Sequence, residues 1–169
     1  MEMSVKPIGK SLGMVLASLA LTACSPQPPT VLPATPDAIR AEIESSNAPL
    51  TLVHAWATWC DPCREEFPEL AKVYQAYAEK GLRLILISAD DPADTAQVTS
   101  FLAEQESPLG SLVATELSQK FIETLSPKWG GSLPASFFYV NGELVDGWEG
   151  QRTFEEYAKT IEPYLTNKE

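Results

Sequence analysis

The sequence predicts an α/β domain in which a central mixed β-sheet is flanked by helices and closed by a C-terminal β-hairpin and helix. Three observations carry this prediction. Short apolar runs of strand length alternate with longer stretches of helical period. The run Leu50-Thr51-Leu52-Val53-His54-Ala55-Trp56 leads directly into a helix-start pattern at Asp61-Pro62. Near the end, residues 136–140 and 143–148 flank Asn141-Gly142, a pair favoured where a tight hairpin turn needs positive φ.

The elements follow from period and punctuation. Residues 37–46 can cap at Asp37 and form a short amphipathic helix through Ile39 and Ile43. Residues 50–56 read as a buried strand. From Asp61 a long helix is expected to about Lys80, burying Phe67, Leu70, Ala71, Val73 and Tyr74 before Gly81 stops it. Residues 82–88 form a central strand, 90–94 turn the chain, and a helix follows to about Glu106, where Ser107-Pro108 breaks it. A short strand through 112–114 precedes a helix over 116–125. After the hairpin, Thr153 caps a closing helix that ends near Leu165. No internal repeat is present and no second domain fits; the roughly 130 residues after the N-terminal region suit one core.

Composition excludes some functions. A hydrophobic fraction of 44% is ordinary for a globular protein. The formal charge of −11 becomes −12 once residues 1–23, with two lysines and one glutamate, are removed. With no basic stripe, nucleic-acid binding is excluded, and an anionic membrane surface repels the domain. Solubility explains the acidity; an acidic docking face is the alternative.

The N-terminus addresses the protein. Lys6 and Lys10 precede an apolar core over 11–21 that is too short for a comfortable membrane span. Residues 1–23 therefore read as a signal peptide. Leu21-Thr22-Ala23-Cys24 resembles the bacterial lipobox, in which the signal is cut before the cysteine and that residue is lipidated. Lipidation accounts for the third cysteine; a secreted protein without lipid is the alternative. Ser25 in place of the retaining Asp suggests outer-membrane sorting. Pro26, Pro28, Pro29, Pro33 and Pro36 make 24–36 an extended tether reaching roughly 40 Å, with the folded domain over 37–169.

Chemistry concentrates at Trp59-Cys60-Asp61-Pro62-Cys63. Two thiols three positions apart at a strand-to-helix junction can close a small disulfide ring and reopen it. A helix beginning at Asp61 or Pro62 points its unpaired N–H groups at the Cys60 sulfur and favours the thiolate, the attacking species. Pro62 suits that first turn, where its missing N–H costs nothing. Cys63, one turn along, can attack a mixed disulfide on Cys60 and release the reduced substrate. Cys60 is thus the nucleophile and Cys63 the resolving thiol. Zinc needs about four ligands, and the chain offers only Cys24, Cys60, Cys63 and His54. A purely structural disulfide this short staples little chain.

The stretch from Trp56 through Leu70, together with Leu133-Pro134, resembles the thioredoxin superfamily and within it the TlpA/ResA-like membrane-anchored thiol–disulfide oxidoreductases. The resemblance covers roughly residues 37–165. It implies a thioredoxin-like fold in which the short strand and helix after Pro108 are an element inserted by TlpA-like proteins. It implies that Pro134 takes a cis bond beside the cysteines, that the Leu133 backbone pairs with an extended substrate, and that Pro68 kinks the active-site helix. Glu66 matches an acid that relays protons and raises thiol pKa values; a solvated helix carboxylate, as expected of Glu65 and Glu69, is the alternative. Trp59 and Pro62 then line the substrate surface, while Trp56, Trp129 and Trp148 are packing residues.

His54 departs from the pattern, since thioredoxins carry an Asp there and the TlpA-like group often an Asn. It can accept the Cys63 proton, serve as a hydrogen-bonded core residue, or bind Cu(I) with the two cysteines. Asp61, Glu65 and Glu66 disfavour the thiolate, offset in part by Arg64, and point to an electron donor. The expected activity is protein-disulfide reduction without cofactor or resident metal. The resemblance implies re-reduction by a membrane thiol transporter of DsbD or CcdA type, which an outer-membrane location would complicate. Apocytochrome c haem-site cysteines are the best-known target of the ResA-like group, although no surface here reads as cytochrome-specific. A Cu(I) metallochaperone of the cell envelope and a scaffold lipoprotein with a vestigial site are the readings from other classes. A peroxidase is disfavoured by the CxxC arrangement.

Overall fold

The computed structural model describes residues 28–165. Cys24 and Ser25, with the signal peptide, lie outside the described residues.

A six-stranded sheet runs in the order β1-β4-β3-β2-β5-β6. Its strands are β1 (Val31–Ala34), β2 (Leu50–Trp56), β3 (Leu82–Ser88), β4 (Ser111–Ala114), β5 (Ala135–Val140) and β6 (Glu143–Glu149). β1, β4, β3 and β2 are parallel, whereas β5 and β6 are antiparallel, so the sheet is mixed. The helices are α1 (Pro36–Glu44), α2 (Asp61–Tyr77), α3 (Thr95–Glu104), α4 (Gln119–Leu125) and α5 (Phe154–Leu165).

Burial on both faces explains the near-continuous apolar runs of β2 and β3. Leu50, Leu52 and Trp56 of β2 and Leu82, Leu84 and Leu86 of β3 pack against α2, α3 and α5. Val53, Ala55, Ile85 and Ile87 face the opposite layer, which holds α1, α4 and Trp129. Period two thus divides each strand between two cores. The hairpin turn is as the sequence predicts, with Asn141 at φ 51° and Gly142 at φ 78°. Gly81, at φ 106°, ends the short 3-10 extension of α2.

Several boundaries move. The expected tether over 24–36 overruns the fold: Val31–Ala34 pair in parallel with β4, and the Thr30 carbonyl already accepts from Ser111 N. Pro33 is tolerated because β1 is an edge strand, and Pro36 is a buried first-turn residue of α1 capped by Thr35. Residues 30–36 therefore belong to the fold rather than to the expected tether, and residues 24–27 lie outside the described residues. Helix α4 starts at Gln119 rather than 116, because the Ser118 hydroxyl accepts from Phe121 N and sets the cap there. On α2, Tyr77 is buried, while Ala71 and Tyr74 are only half-buried.

If β1 belongs to the fold, a chain beginning at Asp37 unfolds at lower urea than one beginning at Pro28, by on the order of 2 kcal/mol. Equal midpoints would restore the longer tether.

Candidate active site

Strand β2 ends at Trp56, and the chain turns through 57–59 into α2. Asp90, 4% exposed, holds that turn from the end of β3. Its carboxylate accepts from Thr58 N at 3.0 Å, Thr58 Oγ1 at 2.5 Å and Ser88 Oγ at 2.6 Å. Arg64 Nη1 donates back to the Thr58 carbonyl at 3.3 Å, and its guanidinium lies 5.0 Å from the centre of the Phe101 ring. The residues before the cysteines are thus fixed from both sides.

Cys60 is the N-cap of α2, in extended conformation, and its sulfur accepts from Cys63 N at 3.3 Å. The pair is disulfide-bonded, with Cα atoms 5.3 Å apart. Cys60 is 6% exposed and Cys63 fully buried, an asymmetry that lets a substrate sulfur reach only the first. Pro62 sits in the first turn, exposed, and Trp59 is 63% exposed beside Cys60. The Leu133–Pro134 bond is cis. Because Ala55 of β2 pairs with Ala135 of β5, Pro134 lies one step further, alongside the end of β2 that delivers the cysteines.

A buried hydrogen-bonded chain links Glu66, Tyr157, Ser136 and His54, and its two ends approach each other. His54 and Ser136 are cross-strand partners of β2 and β5, and both are buried. Glu66 is 2% exposed, which overturns its reading as a solvated carboxylate. Its Oε1 accepts from Tyr157 OH at 2.9 Å and from Arg152 N at 2.7 Å. The Tyr157 hydroxyl lies 2.7 Å from Ser136 Oγ, which lies 3.0 Å from His54 Nδ1. His54 Nε2 then faces Glu66 Oε2 across 3.7 Å, and neither atom has another partner.

Donor counting places a proton in that last gap. Tyr157 donates to Glu66, so Ser136 must donate to Tyr157 and His54 Nδ1–H to Ser136. His54 Nε2 is then a bare acceptor opposite a carboxylate oxygen, and two buried acceptors cannot face each other without cost. A proton held by Glu66 at Oε2 relieves that opposition, across a gap longer than a hydrogen bond. Burial pushes the Glu66 carboxyl up to about 7, against the lowering effect of the Arg152 and Tyr157 hydrogen bonds. Burial also depresses the His54 imidazole to about 3, so the proton resides on Glu66. Cys63 and Glu66 lie one turn apart on α2, both buried.

Glu69 also departs from expectation. It is half-buried and accepts from Phe154 N at 2.9 Å, so two α2 carboxylates bind backbone N–H groups at the start of α5. The sequence reading brought together Cys60, Cys63, Glu66 and His54, but missed Ser136, Tyr157, Arg152 and Asp90. A serine within the apolar 135–140 run and a tyrosine one helical turn before Ile161 were the available signals. His54 directs Nδ1 at Ser136 and Nε2 toward Glu66.

The pH dependence of stability has a definite sign. Glu66 favours the folded state most fully below about 4.5, and that contribution is lost as pH rises through about 7. The contribution of neutral His54 is present above about 6.5 and is lost as pH falls toward about 3. Glu66→Gln removes the first and keeps the second. The stability of the native sequence relative to Glu66→Gln should therefore fall between about pH 5 and about pH 8 in urea unfolding. Parallel curves would contradict a protonated Glu66. Asp90→Ala, which strips Thr58 of its acceptors, should cost about 2 kcal/mol or more in the same measurement.

Comparison with known proteins agrees with this geometry. The AhpC/TSA family profile matches residues 35–146. The thiol–disulfide oxidoreductase ResA of Bacillus thuringiensis is 33% identical over 128 residues, covering 73% of this chain and 70% of the relative. The thiol:disulfide interchange protein HelX of Rhodobacter capsulatus is 31% identical over 140 residues, covering 76% and 73%. A thioredoxin-family thiol:disulfide interchange protein from Chlorobium tepidum superposes with a TM-score of 0.61 at 20% identity, covering 84% of this chain and 99% of that one, a likeness of fold. The chain therefore belongs to the AhpC/TSA family of thioredoxin-like proteins, on its ResA-like branch, and is a thiol–disulfide oxidoreductase.

Proposed function

We propose that the protein is a reductase of protein disulfides in the bacterial cell envelope. The observation that carries this reading is the Cys60–Cys63 pair across the first turn of α2, with a buried Glu66, its carboxyl pushed up to about 7, one turn further in. The Cys60 thiolate attacks a substrate disulfide laid over Trp59, Pro62, Leu133 and Pro134, forming a mixed disulfide and releasing one substrate thiolate. Cys63 gives up its proton and attacks Cys60, which closes the Cys60–Cys63 disulfide and releases the second substrate sulfur. Two electrons pass to the substrate, and Glu66, held in place by His54, exchanges protons with the buried Cys63. In this reading Glu66 is proton donor and acceptor, while His54 acts through it; neither is a ligand.

Electron donation is supported by the exposed acids Asp61 and Glu65 on the first turn, where only Arg64 opposes them. Glu66 contributes less charge than the sequence implied, because burial pushes its carboxyl up to about 7. The N-terminal signal pattern and Cys24 support a lipid-anchored protein on the periplasmic side, with Ser25 favouring the outer membrane. Among the described residues, no helix is long and apolar enough to cross a membrane. Residues 24–29 then supply a shorter tether than the sequence implied. A membrane thiol transporter of DsbD or CcdA type would restore the dithiol, and apocytochrome c is the first substrate to try. The Cu(I) metallochaperone that uses Cys60 and Cys63 remains the alternative, and stoichiometric Cu(I) binding by the reduced form, lost in Cys63→Ser, would favour it.

Cys63→Ala should accumulate mixed disulfides with protein substrates in the native envelope, resolved by adding dithiothreitol. Cys60→Ser should trap none and abolish reduction of a protein disulfide. Trapping through Cys63 instead would reverse the assignment of the two thiols.

A further inference from the structure

An apolar pocket opens beside the cysteines. Its cavity of about 140 Å³ is lined by Trp59, Leu117, Ile122 and Leu133 around a floor that includes Phe121 and Trp129, and no polar or charged side chain lines it. An engineered apolar cavity of about 150 Å³ takes up benzene, so this space holds one side chain of leucine or phenylalanine size. Trp59 and Leu117 stand at its rim, 63% and 57% exposed, two large apolar side chains left facing solvent. Leu117 and Ile122 come from the segment between β4 and β5, which builds one wall.

The walls are held in place. Phe121 and Trp129 pack edge to face, 5.6 Å between ring centres, and Trp129 Nε1 donates to the Ser132 carbonyl at 2.9 Å. Glu149 of β6 accepts from Gly130 N at 2.9 Å and from the Ser132 hydroxyl, which fixes the loop leading to Leu133. The pocket is preformed.

Its position identifies the occupant. Trp59 immediately precedes Cys60, and Leu133 immediately precedes Pro134. A substrate cysteine must bond directly to Cys60 Sγ, and an extended chain advances at most about 3.6 Å per residue. Residues one or two positions from that cysteine are therefore within about 7 Å, over this opening. We propose that the pocket selects substrates carrying a large apolar side chain, Leu, Ile, Met or Phe, within two residues of the reactive cysteine. The proposal rests on thiol–disulfide exchange at Cys60 and adds the recognition that exchange alone lacks.

The test uses symmetric peptide disulfides, identical except for Leu or Ser at each of the two positions on either side of the cysteine. Reduced protein is mixed with each, and the single-turnover rate is followed by tryptophan fluorescence. Cys60 displaces one peptide thiolate and Cys63 the other; the protein dithiol is oxidised to the Cys60–Cys63 disulfide, and its two electrons and two protons leave the peptide pair as two thiols. At one position or more, Leu should react about tenfold faster than Ser. Leu117→Asp should bring that ratio close to one, while Leu144→Asp, an exposed apolar residue of β6, should keep it. No discrimination at any position, or a ratio that survives Leu117→Asp, overturns the pocket while leaving the redox reading intact. Absence of exchange with every peptide overturns the redox reading and this proposal with it. A solution dimer split by Leu117→Asp, with unchanged peptide ratios, assigns the pocket to a second copy and overturns the proposal.

Discussion

The constraint from which the site follows is the burial of β2 on both faces. Seven consecutive residues have no access to solvent, so the strand can neither tilt nor slip without exposing one core or the other. Its C-terminal end therefore delivers 57–60 to a fixed place, and α2 starts where the strand stops. The same burial leaves His54 without water, and a polar side chain in that position must find its partners inside the protein. Its Nδ1 pairs with Ser136 across the ladder, and its Nε2 faces Glu66 on the covering helix across 3.7 Å.

That requirement ties the active-site helix to the far end of the chain. Glu66 and Glu69 of α2 accept backbone N–H groups from Arg152 and Phe154, and Tyr157 of α5 reaches back to Glu66. The helix bearing the cysteines is thus anchored by the element that closes the fold. The same anchoring places the buried Glu66 carboxyl one helical turn from the buried Cys63.

Much of this was legible in the sequence. Period and punctuation gave the order of elements, because β2 and β3 are fully covered strands and α2 has a clear start and a glycine stop. The cysteine pair and Glu66 were readable from one contiguous motif, and the proline before β5 from the separate Leu133-Pro134 match. What was not legible depended on contacts distant in sequence. β1 looked like tether because an edge strand with a proline has no periodicity of its own, and only its pairing with β4 makes it a strand. Asp90 read as a turn residue, since its role lies in bonds to Thr58, 32 residues away. Ser136 and Tyr157 carried no motif, and their meaning appears only when β5 and α5 are placed beside β2. The pocket beside Trp59 likewise needs residues from four separate segments.

Electron donation by Cys60 and Cys63 is the claim to which the rest leads, and the reduction potential tests it most directly. The pair would be equilibrated against dithiothreitol at neutral pH and its redox state followed by tryptophan fluorescence. A potential near or below the thioredoxin level of about −270 mV is the predicted result; a value approaching about −120 mV, that of a strong oxidant, would contradict it and make the protein a donor of disulfides instead.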